Sequence, residues 1–131
     1  MTVIGPARPF SKNIRNNSEN DEVSNSDFFF VKTNRKIVKV EYNEVLFVQS
    51  YGEYVKIYTK DDVILALQTT SFMEKLLPSD HFIRVHRSSI INIHHISEIE
   101  GNMVKIDKHI ITVSKRMREN FMNLIGQKGL I

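Results

Sequence analysis

The sequence predicts a mostly-β domain with helical additions, about nine or ten short strands and two helices, on three observations. From Phe28 onward it is cut into short runs of β-branched and aromatic residues, each of strand length. Only two stretches carry apolar residues at helical spacing. Strand and helix patterns do not alternate, which argues against a parallel, Rossmann-like sheet.

The elements follow in order. Phe28 to Val31 reads as a first strand and Lys36 to Val40 as a second, joined by a turn at Thr33-Asn34-Arg35. Val45 to Val48 is a continuous apolar run, hence a central strand. Tyr54 to Thr59 alternates strictly, and Val63 to Leu67 follows an Asp61-Asp62 turn. Ser71 and Glu74 have the spacing of a capping box at the start of a helix, which carries a Phe72, Met73, Leu76, Leu77 stripe and stops at Pro78. Strand patterns resume at Phe82 to His86, Ile90 to Ile93, Ile96 to Ile99, Met103 to Ile106 and Ile110 to Val113. A last helix has Met117, Phe121, Leu124 and Ile125 as its stripe, Ser114 as its cap and Gly126 near its C-terminal end. No two helical segments are joined by a short turn, so the helix-turn-helix pattern is missing.

Residues 1–27 differ from the rest. Positions 11–26 are almost all Ser, Asn and charged residues, with Ile14 and Val23 as lone apolar side chains. Such a stretch buries too little surface to offset its ordering entropy, so 1–27 is expected to be a disordered tail or linker and 28–131 the folded domain.

Composition narrows the function. There is no cysteine, which excludes disulfides and thiolate-ligated zinc and suits a reducing compartment. No apolar run approaches the roughly 20 residues of a membrane span, and MTVIGPARPF lacks the apolar stretch of a signal peptide. A cytoplasmic protein without membrane contact is the expectation. The net charge is +3, unevenly spread: residues 28–80 hold seven charges of each sign, whereas 81–131 hold eight Lys/Arg against four Asp/Glu and all five histidines. A polyanion-binding face and a solvated basic surface both fit that asymmetry.

The densest polar feature is FIRVHRSSIIN, Phe82 to Asn92. Strand alternation places Ile83 and Val85 on the buried face and Arg84 and His86 on the other. Arg87, Ser88 and Ser89 then interrupt the apolar run, and a loop there presents a guanidinium, an imidazole and hydroxyls together. Arginine can bind guanine bidentately, and Ser and His can donate to phosphate. An edge strand with surface charge is the alternative. A second cluster is Ser114-Lys115-Arg116. If Ser114 caps the last helix, two cations occupy a first turn whose free N–H groups and dipole favour anions, which points to a role beyond helix stability. His94, His95 and His109 are not joined by a carboxylate cluster, so no metal or other cofactor is expected. No nucleophile–base pair or phosphate loop is evident, so no enzyme is expected either.

FIRVHRSSIIN resembles the core motif of the LytTR family, the DNA-binding output domain of LytR/AlgR-type bacterial response regulators. Four further blocks agree in order: Ile37 to Val40 with Asn43 to Ser50, Tyr51 to Tyr58, Met73 to Pro78, and Ile111 to Arg116. The likeness covers about residues 28–125 and implies short β-sheets in an elongated arrangement, with loops entering successive major grooves of duplex DNA. It implies base contacts at Arg87 and Arg116 and backbone contacts at His86 and Ser88, to which the anion-favouring first turn adds Ser114 and Lys115 as expected backbone contacts. It also implies a variable third loop, here formed by Tyr51, Glu53 and Tyr54. Glu53 departs from the basic or neutral side chain expected there. A carboxylate can accept from cytosine N4 or simply face solvent.

The resemblance further implies a transcription regulator of a two-component system, binding double-stranded DNA as a homodimer. A phospho-receiver domain or a sensor kinase pathway would stand upstream. Arg8-Pro9-Phe10-Ser11 faintly resembles a receiver's end, so 1–27 fits a linker from such a domain or the tail of a stand-alone regulator. The competing reading is a β module for protein interaction, or a single-strand binder stacking bases on Tyr51, Tyr54 and Tyr58.

Overall fold

The structure, a computed structural model, describes residues 27–131. Apart from Asp27, the expected tail or linker therefore lies outside the described residues.

Ten strands and two helices form in these residues, as the sequence predicts. β1 (Phe28–Lys32) and β2 (Ile37–Glu41) make an antiparallel hairpin. Its Phe29, Val31 and Val40 are buried, while Phe28, Phe30 and Lys32 alternate outward. β3 (Val45–Tyr51), β4 (Tyr54–Thr59), β5 (Val63–Ala66), β6 (Phe82–His86) and β7 (Ser89–Asn92) form an antiparallel sheet in the order β5-β4-β3-β7-β6. β8 (Ile96–Glu100), β9 (Met103–Ile106) and β10 (His109–Thr112) form a third sheet with β9 in the middle. α1 (Thr70–Leu76) lies between β5 and β6 in the chain, and α2 (Arg118–Gly129) closes it.

The five-stranded sheet is apolar on both faces, which is why β3 is a continuous buried run rather than an alternating one. Val48 pairs with Ile90 and the next residue, Phe47, with Ile91, so successive pairs point to opposite sides. Val48, Ile90, Val55, Ile57 and Ala66 pack with the β1–β2 hairpin, with Met73 of α1 and with Leu77 just after it. Phe47, Ile91 and Val85 pack with Val104, Ile106 and Ile111 of the third sheet and with Phe121 of α2. A bulge between Val45 and Phe47 lets consecutive Leu46 and Phe47 join the same cluster. Asn92 is fully buried where β7 ends, its amide donating to the Val45 carbonyl (2.9 Å) and accepting from the His94 N–H (2.9 Å). That one side chain ties the end of β7 to the start of β3.

Several local expectations are corrected. The α1 cap is Thr69, whose hydroxyl accepts from the Phe72 N–H at 3.0 Å, so Ser71 and Glu74 form no capping box. Glu74 instead pairs with Arg84 of β6 (3.0 Å), a tertiary partner that outcompetes the local one. α2 runs through Gly126 to Gly129, where φ is +113° and glycine is favoured. Ile93-His94-His95 is a 3-10 turn rather than a strand end. Tyr58, named as a platform for stacking bases, is instead half-buried and stacks on Phe47 with ring centroids 4.2 Å apart. Ser89 is buried within β7 and is not presented by the loop.

Candidate nucleic-acid interface

The β6–β7 connection is a two-residue turn, Arg87-Ser88, between His86 and its partner Ser89. Neither turn residue has a positive φ, so the strand twist is accommodated by a bulge between Arg84 and His86 instead. The bulge lies inside the FIRVHRSS motif, and the alternation read from it holds as far as Val85. Ile83 and Val85 face the β8–β10 side as expected, while Phe82 packs on the α1 side.

The turn is held from several directions. The Ser88 N–H donates to His86 Nδ1 (3.2 Å), and the Ser88 hydroxyl lies 3.0 Å from the same nitrogen. An N–H can only donate, so Nδ1 is the acceptor and the neutral ring carries its proton on Nε2, a donor suited to a phosphate oxygen. The Ser88 carbonyl accepts from the Ser50 N–H at 2.9 Å, joining the turn to the end of β3. The Ser114 N–H donates to the Val85 carbonyl at 2.7 Å, joining the last strand–helix junction to β6.

Those two bonds bring the three sequence-predicted segments side by side. Tyr51 follows Ser50 directly and begins the β3–β4 turn, Tyr51-Gly52-Glu53-Tyr54, in which Gly52 takes φ +61° at the first central position. A two-residue hairpin turn with glycine there needs no strain. Tyr51, Glu53 and Tyr54 are all exposed, and Lys56 places its Nζ 4.1 Å over the Tyr51 ring. At the other junction Ser114 is the cap, its hydroxyl accepting from the Met117 N–H at 3.3 Å. The turn it caps is 3-10, Lys115–Met117, and α2 continues from it. Lys115 and Arg116 therefore occupy the first turn as expected, both exposed. Arg118 is tied down to the Gly101 carbonyl at 2.6 Å.

Charge placement separates free cations from bound ones. Among the described residues, no hydrogen bond or ion pair engages the side chains of Arg87, Lys115 or Arg116. Arg84 is the opposite case. It donates to Glu74, to the Ser71 hydroxyl (3.2 Å), to the His86 carbonyl (3.4 Å) and to the Arg87 carbonyl. The described residues also hold no group of three or more His, Cys, Asp or Glu placed to bind a metal.

The sequence model of the LytTr DNA-binding domain matches residues 35–126. The chain belongs to the LytTr DNA-binding domain family. A solved LytTr domain from Bacillus cereus superposes with a TM-score of 0.70 at 24% identity, covering 78% of this chain and 99% of that one. The likeness supports the three-sheet fold. Sensory transduction protein LytT of Bacillus subtilis is 30% identical over 95 residues, which is 68% of this chain and 39% of that protein. Transcriptional regulatory protein YpdB of Escherichia coli is 34% identical over 83 residues, 63% of this chain and 31% of that protein. The LytTr chain thus matches well under half the length of these relatives.

Sequence reasoning did not single out two side chains beside the Tyr51 turn. Gln49 and Lys56 are cross-strand partners on the same face as Tyr51, and Gln49 reaches the Ser89 hydroxyl at 3.4 Å. The alternation of β4 did place Lys56 beside Tyr54. What it lacked was the register pairing Lys56 with Gln49.

Proposed function

We propose that this LytTr domain binds duplex DNA sequence-specifically as the output module of a transcription regulator in a two-component system. Arg87 and Arg116 read bases, and His86, Ser88, Ser114 and Lys115 hold the phosphate backbone. The observation that carries this reading is the pair of backbone bonds, Ser50 to Ser88 and Ser114 to Val85, which set three turns beside one another with unpaired arginines on two of them. A guanidinium with no internal partner gives up no native bond when it docks on guanine O6 and N7. The Nε2–H of His86 suits a phosphate oxygen. The third turn contributes through Tyr51, Glu53 and Tyr54, with the Glu53 carboxylate limited to accepting a hydrogen bond, as from cytosine N4.

The whole protein acts by binding rather than turnover, works in the cytoplasm and pairs on DNA with a second copy. It takes its signal from a receiver domain or a sensor kinase pathway. No helix among the described residues is long and apolar enough to cross a membrane, which is compatible with that setting.

Mobility shifts test the reading. A duplex selected from a random library should bind far better than the same strands unpaired, with affinity falling steeply as salt rises. Arg87→Ala and Arg116→Ala should each cost about 1–3 kcal/mol and relax the preference at one position, while Lys108→Ala should act weakly and uniformly. Equal binding of both arginine variants and wild type would remove the reading face. Preference for single strands would favour stacking on the tyrosines.

A further inference from the structure

Arg84 lies three residues from Arg87 yet is engaged entirely inward. Only 19% of its side chain is exposed, against 50% for its partner Glu74. One of its terminal nitrogens meets Glu74 Oε1 (3.0 Å) and Ser71 Oγ (3.2 Å) on α1, and the other meets the Arg87 carbonyl. Its Nε donates to the His86 carbonyl at 3.4 Å.

The two carbonyls matter together. The His86 carbonyl belongs to the peptide plane before the Arg87 Cα and the Arg87 carbonyl to the plane after it. Holding both planes sets φ and ψ of Arg87, and with them the direction in which its Cβ leaves the chain. A planar fork with five donors can do this, whereas a lysine ammonium cannot hold the same set of acceptors at once. Glu74 and Ser71 anchor the far side of the fork to a helix packed on the core through Met73.

We infer that Arg84 is a positioning residue of the LytTr reading face, a brace from Glu74 and Ser71 of α1 that fixes the direction of Arg87 without itself touching DNA. The inference rests on the base-reading role proposed for Arg87. It makes Glu74, a carboxylate near a surface meant for a polyanion, a contributor to DNA recognition.

The tests use Glu74→Ala, Arg84→Lys and Arg84→Gln. Without DNA, amide exchange at Ser50, which donates to Ser88, and at Ser88 should quicken about tenfold or more in each variant, while the amides of β9 and β10 keep their protection. With DNA, each variant should lose about tenfold or more in the ratio of specific to non-specific affinity. Glu74→Ala is the sharpest case, because removing a negative charge should tighten binding if Glu74 were only a surface carboxylate. Arg84→Gln should leave the slope of log affinity against log salt unchanged. A slope lower by about 0.9 would make Arg84 a phosphate contact and overturn the inference. Unchanged exchange at Ser50 and Ser88 would overturn it as well, as would a general loss of protection across β9 and β10. If exchange quickens as expected but the wild-type chain does not discriminate between duplex sequences, the brace stands and the base-reading role of Arg87 falls.

Discussion

The Ser114 N–H donates to the Val85 carbonyl at 2.7 Å, and each end of that bond lies two residues before an unpaired arginine, Arg116 and Arg87. The bond joins residues 29 apart in the chain and fixes the spacing between their two turns. If the two arginines read DNA together, the bond is part of the recognition geometry.

Proline at position 114 isolates it. Ser114 has φ −71° and ψ 152°, which proline adopts without strain, so Ser114→Pro removes the N–H donor with little backbone change. It also removes the hydroxyl cap, and Ser114→Ala controls for that loss, about 1 kcal/mol of stability. Ser114→Pro should weaken specific DNA binding clearly more than Ser114→Ala does, as read by mobility shift on protein confirmed folded. Equal affinities for the two variants would leave the bond with no part in recognition.

The two arginines stand on separate turns and should act independently on a rigid face. The double variant Arg87→Ala/Arg116→Ala should therefore lose the sum of the single losses, within about 0.5 kcal/mol. Titration of a fixed duplex by fluorescence anisotropy gives the numbers. A strongly sub-additive double variant would mean that either loss alone disengages both turns.

Asn92 is predicted to matter for stability and not for contact with DNA. Asn92→Ala strands the Val45 carbonyl and the His94 N–H, both of which it now satisfies. The cost should be about 1–3 kcal/mol, measurable by urea denaturation. A loss below about 0.5 kcal/mol would show that water replaces the amide without penalty.

His94 adds a pH dependence. Its pKa lies below the ordinary 6.5, first through desolvation and then through the positive charges of His81, Lys128 and His95, with Asp80 opposing. Its ring also lies against His81, with centroids 4.4 Å apart. The folded state then binds fewer protons than the unfolded one. Stability from this site is complete above pH 6.5 and declines as pH falls through the lowered folded pKa. Thermal melting followed from about pH 7 to about pH 5 should show Tm falling, and His94→Gln should flatten that fall. An unchanged slope in His94→Gln would place the dependence elsewhere.

Much of the fold was legible because it is written in local pattern. β4, β6 and β9 begin and end where alternation and apolar runs in Tyr54 to Thr59, Phe82 to His86 and Met103 to Ile106 put them. Ser114 was legible as a cap for the same reason. What failed was decided by partners distant in sequence. Glu74 has the spacing of a capping-box residue relative to Ser71, yet Arg84 on β6 takes both side chains and Thr69 becomes the cap. The bulge between Arg84 and His86 depends on how β6 pairs with β7, so its register could not be read from Arg84 to Ser88 alone, although alternation gave the facing of Arg84 and Val85. Of the candidate site, the residue types at Arg87 and Arg116 were visible in sequence. The bonds that set their turns beside each other, and beside Tyr51, join backbone atoms and leave no residue signature.

The central claim is that the turns at Tyr51–Tyr54, His86–Ser88 and Ser114–Arg116 form one DNA-binding face. Amide chemical shifts of the labelled chain, titrated with a short duplex at low salt, test it most directly. The account predicts that perturbations concentrate on those three turns and on Gln49 and Lys56, with little change at β1, β2 and β5. Perturbations centred on the β1–β2 hairpin or the β5 edge, with the three turns unmoved, would contradict it.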